Sequence, residues 1–200
     1  MHNLSNPAPI LRPHGGVITN LRNHFLIATA GLNDSVFERT VVYICTHDNT
    51  GAMGMVVNRP MENVSFIDIA DSMGVKPLIA KKPTIYKGGP VETNRGFVIH
   101  TPEYTQKGSV AIGPGITLSS TADIVGDIAN GKGPADMAFC LGYAGWKEGQ
   151  LEEELVDNNW LVVPASASLL FDVPAKEKYD YCTQLLGLTA VNFSGMVGVA

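Results

Sequence analysis

The chain has 200 residues, 45% of them hydrophobic and 16% charged, with a formal net charge of -5. A domain of that size buries roughly 70% of its unfolded surface, and the negative balance, with Lys81-Lys82 as the only basic doublet, argues against a direct hold on nucleic-acid phosphates. No apolar run reaches the ~20 residues of a spanning helix, the N-terminus lacks the apolar core of a signal peptide, and Cys45, Cys140 and Cys182 show no metal-ligand spacing; a cytoplasmic domain with reduced thiols and no cofactor or metal is expected.

Met1 to Gly16 mixes Pro, Asn, His and Gly and reads as an irregular extension, followed by one domain over 17–200. His24 to Ala30 is a compact apolar run that suits a strand covered on both faces. Arg39 to Pro60 reads as a hairpin. Val41 to Thr46 and Gly54 to Asn58 are its strands, Asp48-Asn49-Thr50-Gly51 its turn with φ > 0 expected at Asn49 and Gly51, and Pro60 ends the ladder for want of an N–H. Ser65 is placed to cap a helix to about Met73, with Phe66, Ile69, Ala70 and Met73 on one apolar face.

Thr84 to Lys87 and Gly96 to Thr101 read as strands on either side of a Gly88 to Asn94 connection, and Ser109 to Ile112 and Ile116 to Leu118 as two more. A second helix is expected from Ser119, Ser120 or Thr121 to about Asn130, closed by Gly131. Ala135 to Gly142 reads as a strand, Leu141 to Leu151 as a strand-to-helix connection, and Glu148 to Asn158 as a helix. Leu151, Leu155 and Val156 should face inward and Glu152-Glu153-Glu154 mostly outward. Trp160 to Val163 completes the strands, Ser168 to Phe171 makes a helical turn, and Pro174 opens a final helix to about Leu186. Grouped strands with irregularly inserted helices give the α+β class. The apolar end Asn192 to Ala200 suits an edge strand, within the domain or against a second copy.

Three stretches carry candidate binding residues. Asn58 and Arg59 stand at a strand end, where the arginine fork can hold a carboxylate or phosphate. Gly88, Gly89 and Pro90, with Arg95 close by, allow close backbone approach and an anion-binding row of N–H groups, and His100 ends the next strand. Tyr143 and Trp146 form a possible aromatic wall beside a helix start. There is no GxSxG, HExxH, SxxK or Walker loop, so no catalytic residue is assigned.

The stretches HFLIATAGLNDSVFERTVVYICTHDNTGAMGMVVNRP, IYKGGPVETNRGFVIH and FCLGYAGWKEGQLEEELVDNNWLVVPAS together resemble the AlgH/YqgE family of small bacterial proteins. The resemblance implies an α+β domain with a strongly bent, mostly antiparallel sheet partly closed into a barrel and flanked by helices. It also implies the family's label of transcriptional regulator, given for control of alginate synthesis. Thr29-Ala30 replaces a frequent Met-Pro, and Gly198-Val199-Ala200 lacks the histidine of the usual Gly-His-Ala ending.

The expected function is a regulatory module that binds a small anionic ligand or a protein partner without catalysis, in a groove where the three stretches meet. The alternative is a hydrolase or transferase acting on an anionic small molecule, with His100 as base and Arg59 or Arg95 as oxyanion partner.

Overall fold

A computed structural model describes residues 10–11, 17–18, 20–79, 82–120 and 122–187. Most of the expected N-terminal extension, Thr121 and the apolar end Asn192 to Ala200 lie outside the described residues. β1 (Ile10–Leu11), inside the extension expected to be irregular, pairs antiparallel with β2 (Val17–Ile18), which follows it.

The remaining strands among the described residues form one nine-stranded sheet. They are β3 (His24–Ala28), β4 (Val41–Asp48), β5 (Gly51–Val56), β6 (Ile85–Lys87), β7 (Val91–His100), β8 (Val110–Gly113), β9 (Ile116–Ser119), β10 (Met137–Lys147) and β11 (Trp160–Pro164). Their order is β11-β3-β4-β5-β10-β7-β9-β8, and every pairing along it is antiparallel. β6 adds a short parallel pairing to β10. The helices are α1 (Phe66–Ser72), α2 (Asp123–Ala129), α3 (Gln150–Val156), α4 (Ala167–Phe171) and α5 (Ala175–Leu185).

The hairpin of β4 and β5 is longer at its tip than expected. Asp48 and Gly51 pair directly, and the Asp48 carboxylate takes the Thr50 N–H and hydroxyl. Only Gly51 of the two turn residues has a positive φ. Ser65 and Asp68 form a reciprocal capping box at the start of α1. Phe66 and Ala70 are buried as expected, but Met73 is the C-cap and turns outward, because α1 ends one residue before it.

β10 is the main departure from expectation. The stretch from Leu141 to Lys147, expected as a connection, is strand, and it continues Met137 to Cys140 without a break in the chain's direction. Met137 to Tyr143 pair with β7, Phe139 to Leu141 also with β6, and Ala144 to Lys147 with β5, with an irregularity at Gly142, which has φ 74°. The register with β7 shifts by three residues there, and the alternation of side chains along β10 inverts. Before Gly142, the even residues Ala138 and Cys140 join the inner core; after it, Tyr143 packs there and Ala144 and Trp146 face outward. Opposite the slip, Gly88 and Gly89 cross directly over it. A Cβ on Gly89 would lie 2.1 Å from the Tyr143 carbonyl carbon, and one on Gly88 2.3 Å from the Gly142 oxygen.

Three cores follow from this curl. The concave face holds Phe25, Tyr43, Met55, Phe97, Ile99 and Cys140 and is closed by α4 and α5 through Leu169, Leu170, Tyr179 and Cys182. The outer face of the first half packs Leu26, Ile44, Trp146 and Trp160 with Leu151 of α3. The outer face of the second half packs Val98 and Phe139 under Phe66 of α1 and Ile124, Val125 and Ile128 of α2. The barrel is drawn together where Arg22 donates to the Ala111 carbonyl of β8 and Asn23, accepting from the Tyr43 hydroxyl at 3.0 Å, abuts Gly113.

Gly89→Ala should lower the urea midpoint by the equivalent of about 3 kcal/mol or more, since backbone rather than a side chain would have to yield. Gly126→Ala, in α2 with open space at its Cβ, should instead raise stability by about 0.5–1 kcal/mol.

Candidate functional site

The residues singled out in the sequence are brought close by the main chain, yet their side chains are engaged in holding the fold. Lys87 donates its N–H to Arg59, Val56 to Gly88, and Gly88 to Leu141, so the Arg59, Gly88 and Gly142 segments lie side by side. Asn58 clasps the neighbouring loop: its Oδ1 accepts from the Val41 N–H at 2.8 Å and its Nδ2 donates to the Arg39 carbonyl at 2.9 Å. Arg59 donates to the Glu38 carbonyl. Gly88 and Gly89 are buried against β10, and the Gly88 N–H is already used.

Residues Glu92 to Arg95 of β7 bulge opposite Gly142, with Val91 pairing Tyr143 and Gly96 pairing Leu141. Arg95 staples this excursion through Glu92 at 2.9 Å and lies 5.0 Å over the Phe97 ring, which meets Tyr143 edge-on. Pro90 and residues 92–95 line only an open, shallow groove. Tyr143 and Trp146 do not form one wall. An odd spacing on a strand sends them to opposite faces, and Trp146 joins Trp160 and Phe37 instead.

His100 is fully buried and caught between two oxygens, the Thr101 carbonyl at 2.8 Å and Ser119 Oγ at 2.9 Å. Because a carbonyl only accepts, Nδ1 carries the proton, and the Ser119 hydroxyl therefore donates to Nε2. Ser119 Oγ lies 2.8 Å from Ser109 Oγ, which accepts the Gln106 N–H. This is a Ser–His contact sealed inside the protein, with the two arginines occupied elsewhere. Burial holds His100 below the usual histidine range.

Other polar groups expected at the surface also turn inward. Of the acidic run on α3, Glu152 accepts from His47 Nε2 at 2.8 Å, while His47 Nδ1 accepts the Leu21 N–H. Glu154 Oε2 receives both indole N–H groups, Trp146 at 2.8 Å and Trp160 at 2.7 Å, and its Oε1 the Gln150 amide. Only Glu153 is exposed, as is Val156, expected inside. The three cysteines are free and buried, and burial pushes the Cys140 and Cys182 thiols up to about 12.

A more enclosed space among the described residues lies elsewhere. A cleft of about 380 Å³ opens between the starts of β6 and β10, the end of α2 and the corner joining α4 to α5. Tyr86, Met137 and Ala138 give its floor, and Ile128, Phe171 and Val173 its apolar walls. Lys82, Thr84 and Asp136 stand exposed at its edge. None of these four polar heads, Tyr86 included, has a hydrogen-bond or ion-pair partner among the described residues. Lys178, 2% exposed, closes the wall and donates its ammonium to the carbonyls of Leu169, Leu170 and Val173, which caps α4. Burial lowers it to about 8.

The cleft escapes sequence reading because three separated stretches, around 82–86, 128–138 and 170–178, supply it without any local motif. The one available signal is Lys178 itself. It lies four residues before the core-facing Cys182, so helical spacing puts an ammonium on the buried face of α5.

The family model described as AlgH-like matches residues 25–191. A UPF0301 protein of Rhodospirillum rubrum is 42% identical over 180 residues, covering 90% of this chain and 92% of its own. The UPF0301 protein YqgE of Escherichia coli is 37% identical over 187 residues, covering 90% and 100%. The solution structure of the AlgH protein from Pseudomonas aeruginosa superposes with a TM-score of 0.75 at 37% identity, over 91% of this chain and 97% of that one. A Corynebacterium diphtheriae protein shares the fold at 19% identity, with a TM-score of 0.66 over 82% and 86% of the two chains.

Since His100 titrates lower in the folded than in the unfolded chain, the unfolded chain binds more protons just below pH ~6.5. Stability should therefore fall as pH drops from 7 through that window, by up to ~1.4 kcal/mol per unit. His100→Gln should flatten the decline in urea titrations at pH 7, 6 and 5. Lys178→Met, which leaves the three carbonyls without their donor, should cost about 2–3 kcal/mol in the same measurement.

Proposed function

The chain belongs to the AlgH-like family, and we propose that it works as a regulatory binding module of the cytoplasm, taking a small ligand in the cleft between β6, β10 and the α4–α5 corner, rather than as an enzyme. The observation that carries this reading is a contrast in how polar groups are used. His100, His47, Ser119 and the cysteines are buried and engaged, whereas Lys82, Thr84, Tyr86 and Asp136, around an open hollow, have no side-chain partner among the described residues. A hollow of this size with a few polar heads is the usual form of a small-molecule site. The hydrolase or transferase alternative needs His100 to reach substrate, and its burial beneath the sheet speaks against that. Control of transcription, the role tied to the name AlgH, would then be exerted through a ligand-dependent partner, since the net charge of -5 opposes direct DNA contact.

Ala135 is exposed at the cleft edge, so Ala135→Trp should fill the hollow without touching a core. Ligand-observed NMR with a bacterial small-molecule extract should show compounds that contact the wild-type chain and lose contact with A135W. A fluorescent DNA duplex should show no change in anisotropy at ~20 mM salt, where phosphate contacts would be strongest. Salt-sensitive DNA binding, or a turnover abolished by Ser119→Ala in a still-folded chain, would overturn this reading.

A further inference from the structure

The charges around the cleft are arranged as a complement to a dipolar molecule. β6 and β10 run parallel from Ile85 and Phe139, which are register partners. Lys82 and Asp136 each stand three residues before that pair, on adjacent chains entering the sheet side by side. Despite opposite charge they form no ion pair with each other or with another described residue. Thr84 and Tyr86, whose hydroxyls have no partner among the described residues, also line the cleft. Met137, Phe171 and Val173, each half-buried, add apolar side chains to the lining.

We propose that this cleft binds a free amino acid with an apolar side chain of the leucine or phenylalanine kind, its carboxylate on Lys82 and the Thr84 and Tyr86 hydroxyls and its ammonium on Asp136. This rests on the ligand-binding reading of the same cleft. A ligand carrying only a carboxylate would leave Asp136 beside the bound anion without a donor, and an amine alone would leave Lys82 unmatched. The zwitterion satisfies both, and the apolar side chain removes hydrocarbon from water against the floor. Lys178, whose ammonium is spent on three carbonyls, adds a positive potential behind the wall without being a ligand group.

The test uses the full chain, ¹⁵N-labelled, titrated at pH 7 with L-leucine and L-phenylalanine, with their N-acetyl forms and with their amides. Shifts should appear at Lys82 to Lys87 and Asp136 to Ala138. Each charged contact is a charge-assisted hydrogen bond, so the free amino acids should bind about tenfold or more tightly than either blocked form. Asp136→Asn should abolish the preference over the N-acetyl form, and Lys82→Met the preference over the amide. Equal binding of all three forms in the cleft would overturn the zwitterion assignment and leave the binding-module reading standing. Absence of shifts with all of them, while other compounds are excluded by A135W, would likewise overturn only the amino-acid assignment; absence of any cleft ligand would remove both.

Discussion

The architecture depends on one close approach of main chain to main chain, the seating of Gly88-Gly89 on β10 at Gly142. A regular strand of eleven residues would keep its even side chains on one side throughout. The slip at Gly142 lets β10 present Ala138 and Cys140 to the inner core and then Trp146 to the outside, so a single strand serves two halves of a curled sheet that need opposite parity. Only residues without a Cβ permit the crossing chain to lie that near. The curl in turn creates the concave core that α4 and α5 cover, and the α4–α5 corner is one wall of the cleft. The paired glycines that suggested an anion nest therefore shape the site at a distance, by bending the sheet.

A second constraint is the treatment of buried polar groups. Several are matched with a partner on another element: Glu154 with two indoles, His47 with Glu152 and the Leu21 N–H, His100 with Ser119, Lys178 with the end of α4. Such contacts are specific in direction, unlike apolar packing, and fix which helix lies on which part of the sheet. Their cost, if one partner is removed, is that of a stranded buried group. The polar heads around the cleft are left out of this system, which is what sets them apart.

Much of the fold was legible in the residues. The hairpin, the Ser65 cap, the apolar face of α2 and the start of α5 at Pro174 follow from local chemistry, although the hairpin strands run nearer the tip and α2 begins later than expected. The family resemblance supplied the curled sheet that periodicity alone does not reach. β10 was misread because Gly142 and Gly145 resemble loop signals and because the slip breaks the alternation by which strands are recognised. Glu152 and Glu154 were misassigned since a charged residue on a short helix gives no sign of a histidine or indole waiting across the sheet. The candidate site was poorly legible for a related reason. Arginines and asparagines draw attention by their chemistry, but Asn58, Arg59 and Arg95 use that chemistry on nearby carbonyls and carboxylates, while the hollow is assembled from ordinary residues of three segments.

Glu154 gathers the indoles of both tryptophans in the sequence into one cluster, on the outer face of the first half-sheet. The chain's ultraviolet emission therefore originates from a single locality under α3. It would register loosening of that helix while remaining blind to events in the hollow on the other half, where Tyr86 is the nearest chromophore. Any optical record of unfolding would thus describe one flank of the molecule, and coincidence with a backbone probe would be a direct measure of how cooperatively the two halves melt.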